Sequence, residues 1–508
     1  MTVHICAVLL SLSAASLAAV DLTDRQIADA VDDRLRNDLA GPCEAIDVDA
    51  ANGLVTLSGR VSHLPARDRA IALAETVKGV RAVINRVQVA PAVGRGDETV
   101  RRDVEKALLF DAATQSLQLK VRVSDGVVTL TGAARTWREK ELAGAAARGV
   151  IGVVDVQNAI QSADSADRTD EQIAAEIRQA LRWDALIDHA LIDVRVINGD
   201  VRLSGVVGSA AEFSLARRSA WVVGVDAVDA WQLQVRHWAR QKELRQDKFA
   251  PPATAELEEA VRDVLRRDPR IGPFGVTVEA EGLSVTLRGN VGTLWARRVA
   301  EQDARQTVGV SSVVNRLKVR PKGLVDDAQT AVEIRQALHR DPYLTGRAIH
   351  VVVDGGAARL TGSVDNHFER ARADDLACMA QGVLAVHNGL LVDLAGLPFT
   401  YDPYVDAIDP HSYVWYEHQP RLTFRQDDAV RESIGARLRC CPFVNADSLR
   451  LSVRSGVATL AGTVGSPVQR RTAVEHAYAG GASWVIDELR VQAEPGEGEM
   501  TGMAEAYR

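Results

Sequence analysis

The stretch NGLVTLSG, residues 52–59, decides the fold, because close relatives of it recur five more times along the chain. An Asn-Gly or Asp-Gly pair between alternating apolar residues is the strongest short-range signal for a two-residue β-hairpin turn. The other copies are DGVVTLTG at 125–132, NGDVRLSG at 198–205, EGLSVTLRG at 281–289, DGGAARLTG at 354–362 and SGVATLAG at 455–462. Six hairpins of one design predict a repeat protein.

The glycine that closes each stretch gives the period of the repeat. These glycines are Gly59, Gly132, Gly205, Gly289, Gly362 and Gly462. They are separated by 73, 73, 84, 73 and 100 residues, so the two longer steps locate insertions. We assign all six to the fold, because glycine reaches backbone conformations that strain other residues.

An amphipathic helix is predicted before each hairpin, because apolar residues repeat there every four positions. The triplets are Ile27/Val31/Leu35, Val100/Val104/Leu108, Ile173/Ile177/Leu181, Leu257/Val261/Leu265 and Val430/Ile434/Leu438, with Thr330/Ile334/Leu338 in the fifth copy. Thr23 with Gln26, and Thr169 with Gln172, fit capping boxes at two helix starts.

A second helix, rich in Ala and Arg, is predicted after each hairpin. We expect it to end at a glycine about 20 residues beyond the closing one, where a left-handed residue can terminate a helix. Those glycines are Gly79, Gly152, Gly224, Gly309, Gly382 and Gly481. An apolar stretch follows each of them and predicts a third strand.

The predicted fold class is therefore α+β: six tandem α-β-β-α-β modules, each a three-stranded mixed sheet covered by two helices. We place the modules at 22–92, 96–163, 168–236, 254–321, 326–394 and 426–493. Residues 237–253 are interpreted as a linker, 395–425 as an aromatic and Pro-rich insertion, and 494–508 as a tail. A chain of 508 residues agrees with several domains, because one core seldom organises that length.

The order of elements, the D/N-G-x-V-x-L-x-G hairpin and the closing G-V-x-x-V-x-N-x-L resemble the BON domain. The late Asn of the closing motif is Asn85, Asn158, Asn315 and Asn388, whereas copies three and six have Ala230 and Asp487. We expect this Asn to satisfy backbone groups near the third strand. The resemblance implies a role in the bacterial envelope, since BON domains are known from osmotically inducible periplasmic proteins, envelope lipoproteins and secretin-associated regions.

The start of the chain predicts export. Residues 5–20 form an apolar run with Ala18 and Ala19 at its end, as in a signal peptide with its cleavage site. The run is too short for a comfortable membrane span. We expect a periplasmic protein whose leader, residues 1–20, is removed; anchoring by an uncleaved leader is the alternative, since no Lys or Arg precedes the run.

Charge and motifs exclude several classes of function. The chain has 60 basic and 68 acidic side chains, and the net charge of -8 argues against a nucleic-acid partner. No P-loop, G-x-S-x-G, H-E-x-x-H or dinucleotide motif is present, so we expect no enzyme and no cofactor. Cys43, Cys378, Cys440 and Cys441 fit neither a zinc pattern nor a dense disulfide framework, and their pairing stays open.

The insertion contains the densest group of potential metal ligands. These are Asp402, Asp406, Asp409, His411, Tyr413 and His418. Their spacing matches no known ligand pattern, so we prefer a structural strap or recognition surface to a metal site.

Basic residues recur in the second helices and form the candidate binding site. Arg67, Lys140, Arg297, Arg370 and Arg470 each stand eight residues after the closing glycine; a second arginine is close by at Arg69, Arg298, Arg372 and Arg471; and copy three has Arg217 and Arg218 instead. A solvated helix face is the plainer interpretation. Repeated contact with lipid headgroups is the sharper one, favoured by Trp137 and Trp295 beside these residues.

The leading hypothesis is a non-catalytic envelope-maintenance or stress protein that binds phospholipid surfaces through weak, repeated contacts. The alternative is a periplasmic chaperone-like or scaffold protein that binds other envelope proteins at its sheet edges. A third is an enzyme or metal site in the insertion. The sequence leaves the ligand, the arrangement of the modules and the oligomeric state open.

Overall fold

The structure is a computed structural model that describes residues 22–36, 38, 46–91, 94–162, 168–236, 239, 252–321, 323, 325–392 and 426–491. The predictions about the leader, the insertion with its candidate ligands between 402 and 418, the tail and Cys43 lie outside the described residues. Within the described ranges, Cys378, Cys440 and Cys441 form no disulfide bond.

Each module has the predicted α-β-β-α-β order. Module 1 contains α1 (Asp24–Arg36), β1 (Ile46–Ala51), β2 (Leu54–Val61), α2 (Leu64–Glu75) and β3 (Ala82–Val89). Module 2 contains α3 (Asp97–Phe110), β4 (Lys120–Ser124), β5 (Val127–Ala134), α4 (Trp137–Arg148) and β6 (Asp155–Ser162). Module 3 contains α5 (Asp170–Trp183), β7 (Ile192–Ile197), β8 (Asp200–Val207), α6 (Ala210–Ser219) and β9 (Ala227–Val235).

The second half of the chain repeats this order. Module 4 contains α7 (Thr254–Arg267), β10 (Thr277–Glu281), β11 (Ser284–Val291), α8 (Leu294–Gln306) and β12 (Ser312–Val319). Module 5 contains α9 (Asp327–Arg340), β13 (Ile349–Asp354), β14 (Ala357–Val364), α10 (His367–Met379) and β15 (Ala385–Val392). Module 6 contains α11 (Asp427–Cys440), β16 (Leu449–Arg454), β17 (Val457–Val464), α12 (Pro467–Ala479) and β18 (Trp484–Val491).

Every module has its own three-stranded sheet with the second strand in the centre. The first two strands are antiparallel and the last two are parallel; in module 1, Leu54 lies opposite both Ala51 and Ala82. The mixed sheet predicted from the sequence is therefore confirmed.

The hairpin turns explain why the six stretches share Gly. In module 1, Asn52 and Gly53 have φ angles of 54° and 74°, and two left-handed residues are what a type I′ turn requires. Module 4 differs, because Gly282 has a φ of 59° while Leu283, which follows it, keeps an ordinary negative φ. That pattern belongs to a type II′ turn, with glycine at the first central position.

The closing glycines lie inside the second strands rather than in turns. Their φ angles run from 113° to 137°. A Cβ atom at Gly205 or Gly362 would come within 2.0 Å of the carbonyl oxygen that precedes the first strand. Both the left-handed backbone and the close approach therefore exclude a side chain, which supports the assignment of these glycines to the fold.

The first helices pack as predicted, and their apolar triplets are buried. The capping boxes at Thr23 and Thr169 are both formed. The prediction that the second helices end at the later glycines is wrong, because these helices stop two to five residues earlier, for instance at Glu75 before Gly79.

Those later glycines shape the turn into the third strand instead. Their φ angles run from 89° to 103°. A Cβ atom at Gly79 would lie 2.6 Å from the side chain of Ile27, the first apolar residue of α1. The turn needs glycine because it passes directly over the first helix.

The helices of different modules pack against one another, while the opposite sheet faces are exposed. α2 contacts α6, α3 contacts α9, and α8 contacts both α10 and α12. The hydrophobic cores of modules 1, 3 and 6 merge into one cluster, and those of modules 4 and 5 form another. The six modules are thus joined through their helical layers.

Three equivalent backbone hydrogen bonds join the modules in pairs. In each, the N–H before the later glycine of one module donates to the carbonyl of the last residue in a first helix of another module. The bonds run from Lys78 to Cys440 (2.8 Å), from Ile151 to Arg340 (2.9 Å) and from Val308 to Trp183 (2.9 Å). Module 1 is therefore paired with module 6, module 2 with module 5, and module 3 with module 4.

Candidate functional surfaces

The basic residues of the second helices lie against other parts of the molecule. Arg372 is buried and forms an ion pair with Asp341 at 2.7 Å. Arg298 reaches from module 4 to module 5, where it pairs with Asp374 at 2.6 Å and Asp375 at 3.3 Å. These two arginines join elements of the fold.

The other six candidates are half-buried. Arg297 and Arg370 donate to the carbonyls of Asn315 and Asn388 in their own third strands, at 3.4 Å and 3.1 Å. Arg470 pairs with Asp487 at 2.8 Å, and Arg67 lies 3.5 Å from Asp155 of module 2. Lys140 and Arg471 are also half-buried, on α4 and α12 respectively. Six of the eight candidates, Arg67, Arg297, Arg298, Arg370, Arg372 and Arg470, thus contact carboxylate or carbonyl groups of the protein itself.

The late Asn links the third strand to the second helix. The side-chain NH₂ of Asn158, Asn315 and Asn388 donates to the carbonyl of Lys140, Arg297 and Arg370 respectively, at 2.8–2.9 Å. The side-chain oxygen accepts the N–H two residues later, as at Val87 for Asn85. The predicted role of this Asn in satisfying backbone groups is confirmed.

A recurrent carboxylate, which we had not predicted, holds the hairpin turn in five modules. In module 3, Asp170 accepts the N–H groups of Asn198 at 2.8 Å and Gly199 at 3.1 Å. The equivalent residues are Asp24, Asp97, Asp327 and Asp427. Module 4, whose hairpin turn is of a different type, has Thr254 at the equivalent position. A constant separation of 28 residues between Asp and turn was the signal in the sequence.

The outer sheet face of module 6 combines arginine with exposed apolar side chains. Arg454 and Trp484 lie in one row across the sheet, on either side of Val457. Trp484 is 40% exposed and Ile486, in the next row, is 44% exposed. Arg450, Arg490 and a single carboxylate, Glu488, are exposed on the same face, which therefore has an excess of positive charge.

The first strand of module 5 forms an unusual sheet edge. β13 pairs only with β14, and its outward residues are His350, Val352 and Asp354, with Val352 62% exposed. The first strand of each other module carries two outward charged residues, namely Asp47 and Asp49, Lys120 and Arg122, Asp193 and Arg195, Glu279 and Glu281, and Arg450 and Arg454. Charge is a common protection of sheet edges against added strands, and β13 has less of it.

These features define a tandem array of six small α+β modules joined through their helices. The BON domain matches residues 23–91, 96–164, 169–237, 253–321, 326–393 and 426–493, so the chain belongs to the BON domain family.

Several known proteins are similar to parts of this chain. Osmotically-inducible protein Y of Escherichia coli (strain K12) is 30% identical over 143 residues, which are 27% of this chain and 69% of that protein. Two solved structures of CdsD, a structural protein of the type III secretion system of Chlamydia trachomatis, are 16% and 13% identical, with TM-scores of 0.12 and 0.11. They cover 45% and 40% of this chain, and 99% and 90% of their own chains. Over the described ranges, none of the helices has the length and apolar character to cross a bilayer.

Proposed function

We propose that this protein is a non-catalytic, exported envelope stress protein that binds anionic phospholipid surfaces, with the outer sheet face of module 6 as its main contact. Membership of the BON family and the osmotically inducible relative support an envelope or stress role. Both are non-enzymatic kinds of protein, which supports a non-catalytic role.

The observation that carries the proposal is the row formed by Arg454 and Trp484. Tryptophan favours the interface between lipid headgroups and acyl chains, because one end of its ring system is apolar and the other donates a hydrogen bond. An arginine near an anionic surface contributes about 1 kcal/mol of attraction. Arg454, Arg490, Trp484 and Ile486 together would thus combine charge attraction with shallow burial.

The second helices remain the other proposed headgroup contact. Arg67 and Arg470 keep part of their side chains accessible, at 21% and 39% exposed, while Arg372 is 2% exposed. Headgroup binding there would have to compete with Asp155 and Asp487 for the guanidinium groups.

Vesicle co-sedimentation tests both locations. We expect binding to phosphatidylglycerol vesicles, none to phosphatidylcholine, and weaker binding at physiological than at low salt. Arg454→Gln with Arg490→Gln should weaken binding about tenfold or more, because two charges near the surface are removed. Arg67→Gln with Arg470→Gln reports on the second helices.

The matched control is Arg195→Gln with Arg202→Gln on the outer face of module 3. These arginines are also exposed, but Asp193 and Asp229 lie 3.0 Å and 3.9 Å from them. Their loss should change binding little. Absence of binding to anionic vesicles, or equal losses for all pairs, would contradict the proposal.

A second candidate function, binding of unfolded polypeptide, is favoured by the edge of β13. An extended peptide can add a strand to an open edge and gain main-chain hydrogen bonds. Val352→Lys should abolish suppression of insulin aggregation, followed by light scattering after reduction. Leu384→Lys, at a residue of the same module that is 46% exposed but outside the strands, should leave suppression unchanged. Suppression without vesicle binding would make this the better account.

A further inference from the structure

A cleft lies where modules 2, 3 and 4 meet. It consists of two adjoining cavities of about 490 Å³ and 230 Å³. Both are lined by Trp137 and Arg138 of α4, by Trp221 and Val222 after α6, and by Arg267 of α7. A volume of this size is typical of sites for small organic ligands, which occur preferentially at domain interfaces.

Tryptophan forms much of the wall. Trp137 and Trp221 stack across the junction of modules 2 and 3, with ring centroids 5.2 Å apart and planes within 2°. Trp183, the last residue of α5, lines the smaller cavity. Three of the eight tryptophans in the chain thus converge on one cleft, which offers flat apolar surface to a ligand.

Two arginines on this wall lack an anionic partner. In the part of the chain that the structure describes, neither Arg138 nor Arg218 forms an ion pair or donates a side-chain hydrogen bond, although both are half-buried. Burial lowers the pKa of Arg138 most, the positive charges of Arg270 and Arg218 lower it further, and the negative charges of Asp268 and Asp303 partly oppose this shift. A half-buried cation without a partner is costly, so an anion placed here would relieve an unfavourable arrangement.

Most carboxylates around the cleft are already engaged. Asp268 accepts three hydrogen bonds from the Arg270 side chain, two from Nε at 2.8 Å and 3.1 Å and one from Nη2. Glu176 pairs with Arg168 at 2.7 Å and Arg267 at 3.4 Å. Burial, and next the negative charge of Asp268, raise the pKa of Asp303 to about 7, while Arg270 and Arg138 oppose this shift. Among the described residues, Arg138 and Arg218 are thus the two arginines of the lining that form neither an ion pair nor a side-chain hydrogen bond, and they lie beside the aromatic wall.

We infer that the cleft between modules 2, 3 and 4 binds an organic anion that joins a carboxylate, sulfonate or phosphate to a flat apolar ring. Arg138 and Arg218 hold the charged group, and Trp137, Trp221 and Trp183 contact the ring. This site is separate from the outer sheet faces, so it does not depend on the proposed phospholipid binding.

Anilinonaphthalene sulfonate is a suitable probe, because it combines a sulfonate with fused rings and brightens in apolar sites. We expect saturable binding to the full chain, with energy transfer from tryptophan. Arg138→Gln and Arg218→Gln should each weaken binding about tenfold or more, because a charge-assisted hydrogen bond is lost. Arg138→Lys should retain most of the affinity. Calorimetry gives the stoichiometry, and naphthalene sulfonate should compete far better than sulfate or naphthol alone.

Arg217→Gln is the matched control, because Arg217 precedes Arg218 on α6 but is exposed and outside the cleft. It should bind the probe as the unaltered protein does. Thermal unfolding identifies any variant that fails to fold, in which case Arg138→Lys and Arg218→Gln carry the test. No saturable binding, or equal affinity in the Arg217, Arg138 and Arg218 variants, would overturn the inference.

Discussion

The carboxylate at the start of α5 makes a testable contribution of its own. Asp170 accepts both N–H groups of the turn residues Asn198 and Gly199. Asp170→Ala should lower the free energy of unfolding by about 1–2 kcal/mol, because hydrogen bonds to a charged group are lost. Thermal or urea unfolding measures this. Glu171→Ala, in the same exposed helical turn, should change it by less than about 0.5 kcal/mol. Equal losses would show that Asp170 acts only through the helix dipole.

The buried imidazole of His63 should make the stability of the folded protein depend on pH. His63 is buried, accepts the N–H of Ala66 at 3.2 Å and packs edge-on against Tyr343 at 4.4 Å. Burial, followed by the positive charge of Arg372, lowers the pKa of His63 from 6.5 to about 4. Between pH 6.5 and about 4, His63 is therefore largely protonated in the unfolded chain but largely neutral in the folded protein.

The stability contributed by neutral His63 is thus fully present above pH 6.5 and falls by up to about 3 kcal/mol between pH 6.5 and 4. His63→Asn keeps a helix-capping side chain but cannot titrate. We expect the fall in thermal midpoint between pH 7 and 4.5 to be smaller in this variant. His476, fully enclosed with its pKa also lowered by burial, should account for part of the remainder. An unchanged pH profile would contradict the role of His63.

At the scale of elements, the link between α10 and β15 should tolerate only some substitutions. Asn388 donates to the carbonyl of Arg370 and accepts the N–H of Leu390. Asn388→Ala should destabilise the protein by about 1–2 kcal/mol, because two backbone groups lose their partner. Asn388→Asp should cost less, since module 6 has Asp487 at this place, paired with Arg470. Denaturant unfolding distinguishes these outcomes, and equal losses would contradict the comparison.

The elements themselves were predictable because their signals are local. An Asn-Gly turn and an apolar residue every fourth position require no knowledge of distant contacts. The end of α2 was mispredicted because Gly79 is required by its approach to Ile27, a contact between residues far apart in the chain. The ion pair of Arg298 could not be predicted from the sequence either, because its partner Asp374 lies in the next module.

At the scale of the whole molecule, one ion-pair cluster should hold modules 4 and 5 together. Arg298→Ala removes the cation from Asp375, which is fully buried, and from Asp374. We expect a loss of about 3 kcal/mol, because removing one partner of a buried pair leaves charge in a poor environment. Calorimetry should then show a separate, earlier transition. Arg316→Ala, at an exposed residue of β12, is the control and should keep the profile unchanged. A single unshifted transition in both variants would refute this.

The module pairs are nested in the sequence: modules 3 and 4 are adjacent, modules 2 and 5 flank them, and modules 1 and 6 are outermost. Modules 3 and 4 can join as soon as the fourth is made, whereas Lys78 must wait for Cys440, roughly 350 residues after module 1 is complete. At ~5–20 residues per second, that delay is about 20–70 seconds. During synthesis, module 1 therefore waits longer than modules 2 and 3 for the module with which it pairs. A chain truncated before α11 would lack module 6 and leave module 1 unpaired.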